Sequence, residues 1–168
     1  METTKTILPN VKRVWEILNE IPDPEIPVIS IVELGVVRDV EIKANCVKVT
    51  ITPTYTGCPA TKFFEDDITA AMVRAGFAEV NILYVYNPAW TTDWLNEESR
   101  EKLRVYGIAP PDGKSSDKNF LLGKDPNVGC PQCKSENTKM ISQFGSTACK
   151  SLYQCNDCLE TFDYFKCI

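Results

Sequence analysis

From Val11 the apolar positions recur at helical spacing, with Val11, Val14, Trp15 and Leu18 at i, i+3, i+4 and i+7, the stripe that an amphipathic helix buries. Asn10 is placed to cap this helix and Pro22 to end it. The following Asp23-Pro24-Glu25-Ile26-Pro27 reads as an extended turn, because each proline restricts its own backbone and that of the residue before it. The spacing then shortens. β-Branched runs over 28–34 and 36–42 predict strands, and Val47, Val49 and Ile51 alternate with Lys48, Thr50 and Thr52, as in a strand with one buried face. Ala44-Asn45 marks a hairpin turn between the last two.

At Ala60 the period becomes helical again: Ala60, Phe63, Phe64, Ile68, Ala71, Met72 and Ala75 lie on one face, which ends at Gly76. Val80, Ile82, Tyr84 and Tyr86 return to alternation as far as Pro88, and a short helix is predicted over 96–106, before Gly107. The order helix, strands, helix, strand, helix predicts an α+β or α/β arrangement with helices against one sheet. Residues 110–129 carry Gly, Pro, Ser, Asp and Lys and read as a linker, with Phe120-Leu121-Leu122 as a local docking point. The expected division is a domain over 1–109, a linker over 110–129 and a small domain over 130–168.

A chain of 168 residues has room for a domain of about 100 residues plus a mini-domain that needs outside help to fold. Its hydrophobic share of 43% is that of a globular protein, and no run approaches the roughly 18 apolar residues of a membrane span. Residues 1–10 lack the apolar stretch of a signal peptide, so the expected compartment is the cytoplasm. A formal charge of −5 argues against general attraction to nucleic acid or a membrane surface, since that binding rests on Lys and Arg neutralising phosphates. A protein partner is the default, and the sequence leaves a homodimer open.

The sequence contains no histidine. That removes the usual general base, the Ser–His and Cys–His nucleophile pairs, and the histidine ligands of most catalytic zinc and di-iron sites. No Gly-rich phosphate loop occurs either. The chain is therefore not expected to catalyse a reaction alone.

Among the eight cysteines, Cys130-Pro131-Gln132-Cys133 and Cys155-Asn156-Asp157-Cys158 form two C-x-x-C knuckles at the spacing of a four-cysteine zinc ribbon. In a chain expected to stay in a reducing compartment, paired thiols at this spacing point to metal rather than to disulfides. Each knuckle turns two thiolates to one side, and two knuckles complete a tetrahedron with no position left for a substrate, so the zinc is read as structural. So short a segment buries too little to fold unaided, which makes metal binding and folding one event. Cys149 and Cys167 remain, as buried small apolar side chains or as auxiliary ligands or redox thiols. In the ribbon Lys134, Lys139, Lys150 and Lys166 are matched by Glu136, Asp157, Glu160 and Asp163, without the basic excess of a nucleic-acid ribbon.

Thr54-Tyr55-Thr56-Gly57-Cys58-Pro59-Ala60 joins a strand to the strongest helix. It places Cys58 at the N-cap, with Pro59 in the favoured first position. The amides and dipole of a helix N-terminus stabilise a thiolate, giving a better nucleophile or metal ligand; the alternative is a buried cap cysteine. On the first reading Cys58 is the more accessible thiol, while Cys46, within a strand, is core. Asp23 and Glu25 are solvated turn carboxylates or a second contact for the same ligand. Thr54 and Tyr55 bond that ligand or merely the loop.

The strings Asp-Pro-Glu-Ile-Pro at 23–27, Val-Glu-Leu-Gly-Val-Val at 32–37 and Thr-x-x-Gly-Cys-Pro at 54–59 resemble the accessory-domain family that includes SufT and the eukaryotic cytosolic iron–sulfur targeting proteins. Beyond them, Asn-Pro-Ala-Trp-Thr-Thr-Asp-Trp at 87–94, Tyr-Gly-Ile-Ala-Pro-Pro at 106–111, Phe-Gly-Ser-Thr-Ala-Cys-Lys at 144–150 and Asp-Tyr-Phe-Lys-Cys-Ile at 163–168 are similar to the PaaD family, small proteins encoded with the bacterial phenylacetyl-CoA epoxidase. The resemblance covers almost the whole chain. It implies a small mixed sheet packed with helices, followed by the zinc ribbon, and a part in aerobic phenylacetate degradation. It further implies a role in maturing the epoxidase's metal centres, with the di-iron catalytic subunit and the iron–sulfur reductase as partners and iron or an iron–sulfur cluster as transient cargo. The family's reactive cysteine corresponds to Cys58 and its acidic turn to Asp23 and Glu25. A stable, non-catalytic component of the oxygenase complex is the alternative, and a zinc-ribbon nucleic-acid adaptor is disfavoured by the acidity.

Overall fold

The computed structural model describes residues 9–111 and 128–166, which divide into two compact units at Trp90/Thr91. Both are α+β, and among the described residues no helix is long and apolar enough to cross a membrane.

The first unit opens with α1, Val11–Asn19, whose Val14 and Leu18 are buried. Asn10 caps it as expected, its side-chain oxygen accepting the Arg13 amide at 2.9 Å. Three strands follow: β1, Val37–Lys43; β2, Cys46–Ile51; and β3, Glu79–Tyr84. β1 and β2 form the expected hairpin, with Ala44 in the left-handed region at φ 51°. Between β2 and β3 the chain crosses over through α2, Ala60–Arg74, so that β3 lies parallel to β2 in a mixed sheet ordered β1-β2-β3. α1 packs on β1 and on α2, and α2 packs on β3. Val47, Val49 and Ile51 of the central strand are fully buried, as their alternation requires.

Two expectations fail here. Residues 28–34 form turns rather than a strand. Ser30 and Glu33 make a reciprocal pair in which the Ser30 amide donates to Glu33 Oε2 and the Glu33 amide to Ser30 Oγ, both at 3.0 Å. This S-x-x-E box fixes a helical turn, and Gly35 at φ 76° closes it. Ile29, Ile31 and Leu34 are nonetheless buried, so their β-branching reports burial and not a strand. Phe63 is the second failure: the helical period puts it on the buried face of α2, but it is 59% exposed.

The second unit begins with a 3-10 turn, Thr92–Trp94, and α3, Glu97–Tyr106. Asn96 caps α3, and Gly107 at φ 95° ends it, the left-handed stop that glycine adopts freely. Four strands follow: β4, Ile108–Ala109; β5, Thr138–Ser142; β6, Lys150–Cys155; and β7, Thr161–Phe165. Their order is β4-β7-β6-β5, an antiparallel meander extended by β4, which runs parallel to β7. Tyr153, Phe162 and Tyr164 form the core with Ala109 and Val128. The division thus falls at Trp90/Thr91 and not at the expected 109/110, because β4 shares backbone hydrogen bonds with β7 and α3 packs on β4. Most of the 110–129 segment, including Phe120-Leu121-Leu122, lies outside the described residues.

Candidate metal centre and the Cys58 loop

The two knuckles are built alike. In the first, the Lys134 amide donates to the Cys130 carbonyl at 2.9 Å and the Cys130 amide to the Ser135 carbonyl at 2.8 Å. In the second, the Cys155 amide donates to the Glu160 carbonyl at 2.9 Å. The residue after each C-x-x-C turns left-handed, Lys134 at φ 63° and Leu159 at φ 65°. That reversal sends the chain back beside its own entry and leaves both sulfurs on the inside of the turn.

The four sulfurs of Cys130, Cys133, Cys155 and Cys158 all lie within 4.8 Å of one another. Cys130 and Cys158 are 3.7 Å apart and Cys133 and Cys155 3.5 Å, too far for the ~2.05 Å bond of a disulfide. A tetrahedron with zinc–sulfur bonds of about 2.3 Å places its sulfurs about 3.8 Å apart. The four thiols therefore fit a structural zinc, and they fill its coordination shell. Amides point at the sulfurs, the Cys158 N–H reaching Cys155 Sγ at 3.5 Å. The amides of Cys158 and then Asp157 draw the Cys155 thiol down to about 7, against burial. Cys158 is drawn down by the Glu160 amide, but burial and the thiols of Cys133, Cys155 and Cys130 outweigh it and push it up to about 12. Crowded thiols so divided are relieved when a divalent cation replaces their protons.

Cys149 is not part of this group. It is buried, with its sulfur 3.1 Å from Thr147 Oγ1, in a loop that folds over Lys150. That lysine is 3% exposed, with Nζ 3.9 Å from Asp163. Cys167 lies outside the described residues.

In the first unit the chain leaves β2 at Ile51 and reaches α2 through Gly57, at φ 84°. The cap position of α2 is Pro59 and not Cys58; Cys58 precedes it by one residue, and its carbonyl accepts the Thr61 hydroxyl at 2.6 Å. Cys58 is only 7% exposed, with Thr54 Oγ1 3.9 Å from its sulfur and its amide bonded to the Tyr55 carbonyl at 3.2 Å. Cys46 is the half-buried thiol, 3.2 Å from Asn81 Nδ2, so the expected order of accessibility is reversed. The alternating pattern places Cys46 on the sheet face that the helices do not cover.

Asp23 is not a solvated carboxylate. It is 5% exposed, and its Oδ1 accepts the amides of Glu25 and Ile26 at 2.8 Å each, while Glu25 is half-buried. Among the described residues the four ribbon cysteines are the sole group of three or more Cys, His, Asp or Glu side chains close enough to share a metal. Cys58, Asp23 and Glu25 are not gathered into another. Missed in the sequence were Ser30 and Glu33, although S-x-x-E was there to be read, and Trp90, whose indole donates to the Leu34 carbonyl at 2.9 Å.

The fold and the site together define a class: residues 12–82 match the family described as iron-sulfur cluster assembly protein, and residues 114–166 match the PaaD zinc beta ribbon domain. Over 169 aligned residues, covering 100% of both proteins, the chain is 48% identical to a protein of Escherichia coli (strain K12) named as a putative subunit of 1,2-phenylacetyl-CoA epoxidase. It belongs to the PaaD family. A "Fe-S protein maturation auxiliary factor" of Porphyromonas gingivalis is 34% identical over 51% of this chain and 83% of its own. Among solved structures, a DUF59 domain from Bacillus anthracis is similar over 55% of this chain and 89% of its own, at 27% identity and a TM-score of 0.50. A conserved hypothetical protein from Thermotoga maritima is similar over 57% and 95%, at 28% identity and a TM-score of 0.50.

Proposed function

We propose that this protein is a non-catalytic accessory component of a phenylacetyl-CoA epoxidase, and that its first unit assists the maturation of an iron–sulfur or di-iron centre in that enzyme. The observation that carries the reading is the end-to-end identity to a protein named for that epoxidase, combined with a first unit that matches iron-sulfur cluster assembly proteins. The ribbon supports it, because four thiolates that close the coordination of a zinc leave it no Lewis-acid chemistry. Iron or a cluster is the cargo, and Cys58 is the thiol that meets it. Cys58 is only 7% exposed, with Thr54 Oγ1 3.9 Å from its sulfur, so the site opens when cargo is transferred, and Glu25 and Tyr55 are within the same unit to assist. The same relative's name makes it part of the epoxidase, which favours a second reading, in which the chain stays in the oxygenase complex.

Purifying the epoxidase from cells with and without this chain, then measuring iron content and turnover, separates the two. Enzyme poor in iron supports maturation, whereas full iron with lost turnover supports a resident component and overturns maturation. Cys58→Ser is expected to keep its fold and zinc yet lower iron-loaded epoxidase several-fold. Undiminished epoxidase with that variant reduces Cys58 to a structural residue.

A further inference from the structure

The knuckles are joined by side chains that the ligand pattern alone does not explain. Asn137, at the entrance to β5, has every polar group engaged. Its amide donates to Ser135 Oγ at 3.0 Å, and its carbonyl accepts the Asn156 amide at 2.9 Å. Its Oδ1 accepts Asn156 Nδ2 at 2.9 Å, and its Nδ2 donates to Asp157 Oδ1 at 2.8 Å. The other Asp157 oxygen accepts the Ser135 hydroxyl. Asn156 and Asp157 are the two residues between the cysteines of the second knuckle. Ser135 is the residue whose carbonyl closes the first.

We infer that Asn137 and Asp157 are positioning residues of the metal site, which clamp one knuckle to the other and hold the four sulfurs at zinc-binding distance. Neither touches the metal. The clamp acts on geometry: Cys133 and Cys155, one from each knuckle, stand 3.5 Å apart, and the bonds that hold them there run from Ser135 through Asp157 and from Asn137 to Asn156. Electrostatics alone would not place a carboxylate here, because zinc bound by four thiolates carries a net negative charge. Asp157 acts through its two acceptor oxygens, each held by a donor from the neighbourhood of the other knuckle. Partners that orient a metal's ligands typically change its affinity about 10–100-fold when removed.

The test uses the full, zinc-loaded chain, with zinc release to an excess of a chromophoric chelator as the rate measured. Asn137→Ala and Asp157→Ala are each expected to release zinc about 10-fold faster, and the double variant to fall short of the product of the two effects, because the bond from Asn137 Nδ2 to Asp157 Oδ1 is common to both. Asp157→Asn removes the charge but keeps an acceptor for Asn137 and a donor for Ser135, so it is expected to release zinc at the wild-type rate. Cobalt-substituted protein gives a readout independent of the rate, in that the tetrahedral thiolate spectrum should broaden in the alanine variants and stay sharp in Asp157→Asn. Wild-type release from both alanine variants overturns the inference, as does Asp157→Asn releasing zinc as fast as Asp157→Ala. Should Asp157→Ala fail to hold zinc through purification, Ser135→Ala, which removes one bond to the same carboxylate, carries the comparison with Asn137→Ala.

Discussion

A carboxylate can be buried only where its oxygens are taken, and at Asp23 the amides of Glu25 and Ile26 both take Oδ1 at 2.8 Å. The acidic turn is thus locked from within, and Asp23→Ala would leave the buried Ile26 amide without that acceptor. Such a loss costs about 1–3 kcal/mol, so we expect the variant to lower the denaturant midpoint of the first unit and to leave zinc content unchanged; an unaltered midpoint would mean that water replaces the carboxylate at no cost. Motif singles out Asp23 and Cys58 as positions along the chain. What they do not convey is burial. The helix-start pattern brings Cys58 within one residue of the α2 cap, yet what covers the thiol, with Thr54 beside it, depends on how residues 53–59 fold back. The four-cysteine cluster is legible because its chemistry is local: each knuckle fixes two sulfurs within four residues, and only the pairing of two knuckles is long-range.

Elements read well where period and caps agree. Asn10 and Asn96 start α1 and α3 as their positions suggest, and Gly107 stops α3. Agreement breaks at 28–34, where β-branched residues line the core through turns held by Ser30 and Glu33, because a capping box specifies backbone conformation more directly than β-propensity does. The β5–β6 connection depends on a close approach invisible to pattern. A Cβ placed on Gly145 would lie inside van der Waals contact with Asp163 Oδ1 and 3.3 Å from Lys150 Cβ, next to the Ser146 hydroxyl that donates to Asp163 at 2.6 Å. Gly145→Ala should therefore push the loop off Asp163 and the buried Lys150 that it faces. Overpacking of this kind costs about 1–3 kcal/mol, to be seen as faster amide exchange in β6 and β7 with no change in the first unit; unchanged exchange would show that Asp163 swings clear freely.

For the whole molecule, the decisive question is what a zinc held by the four cysteines would support. The pattern of turn-forming residues over 110–129 suggests a ribbon that starts at Cys130 and a first domain that continues to 109, but a two-residue strand leaves no periodic signal. The pairing of Ile108 with Asp163 and Ala109 with Tyr164 joins residues far apart in the chain. In the sheet β4-β7-β6-β5 the core is small, with Tyr153, Phe162 and Tyr164 at its centre, and such a core rarely stands alone. Structural zinc contributes about 10–16 kcal/mol in small metal-folded peptides, enough to decide whether this sheet exists. Elemental analysis of reduced, freshly purified protein should give one zinc per chain. Removing it with a strong chelator under reducing conditions should release the amides of β5, β6 and β7 to rapid hydrogen exchange, and Ile108 and Ala109 with them, because their partner strand is gone. The strands β1, β2 and β3 should keep their protection, since their core of Val47, Val49 and Ile51 contains no metal ligand. If Ile108 and Ala109 stay protected after the zinc has left, β4 draws its stability from α3 and not from the ribbon; if β1–β3 open as well, the two units do not fold independently.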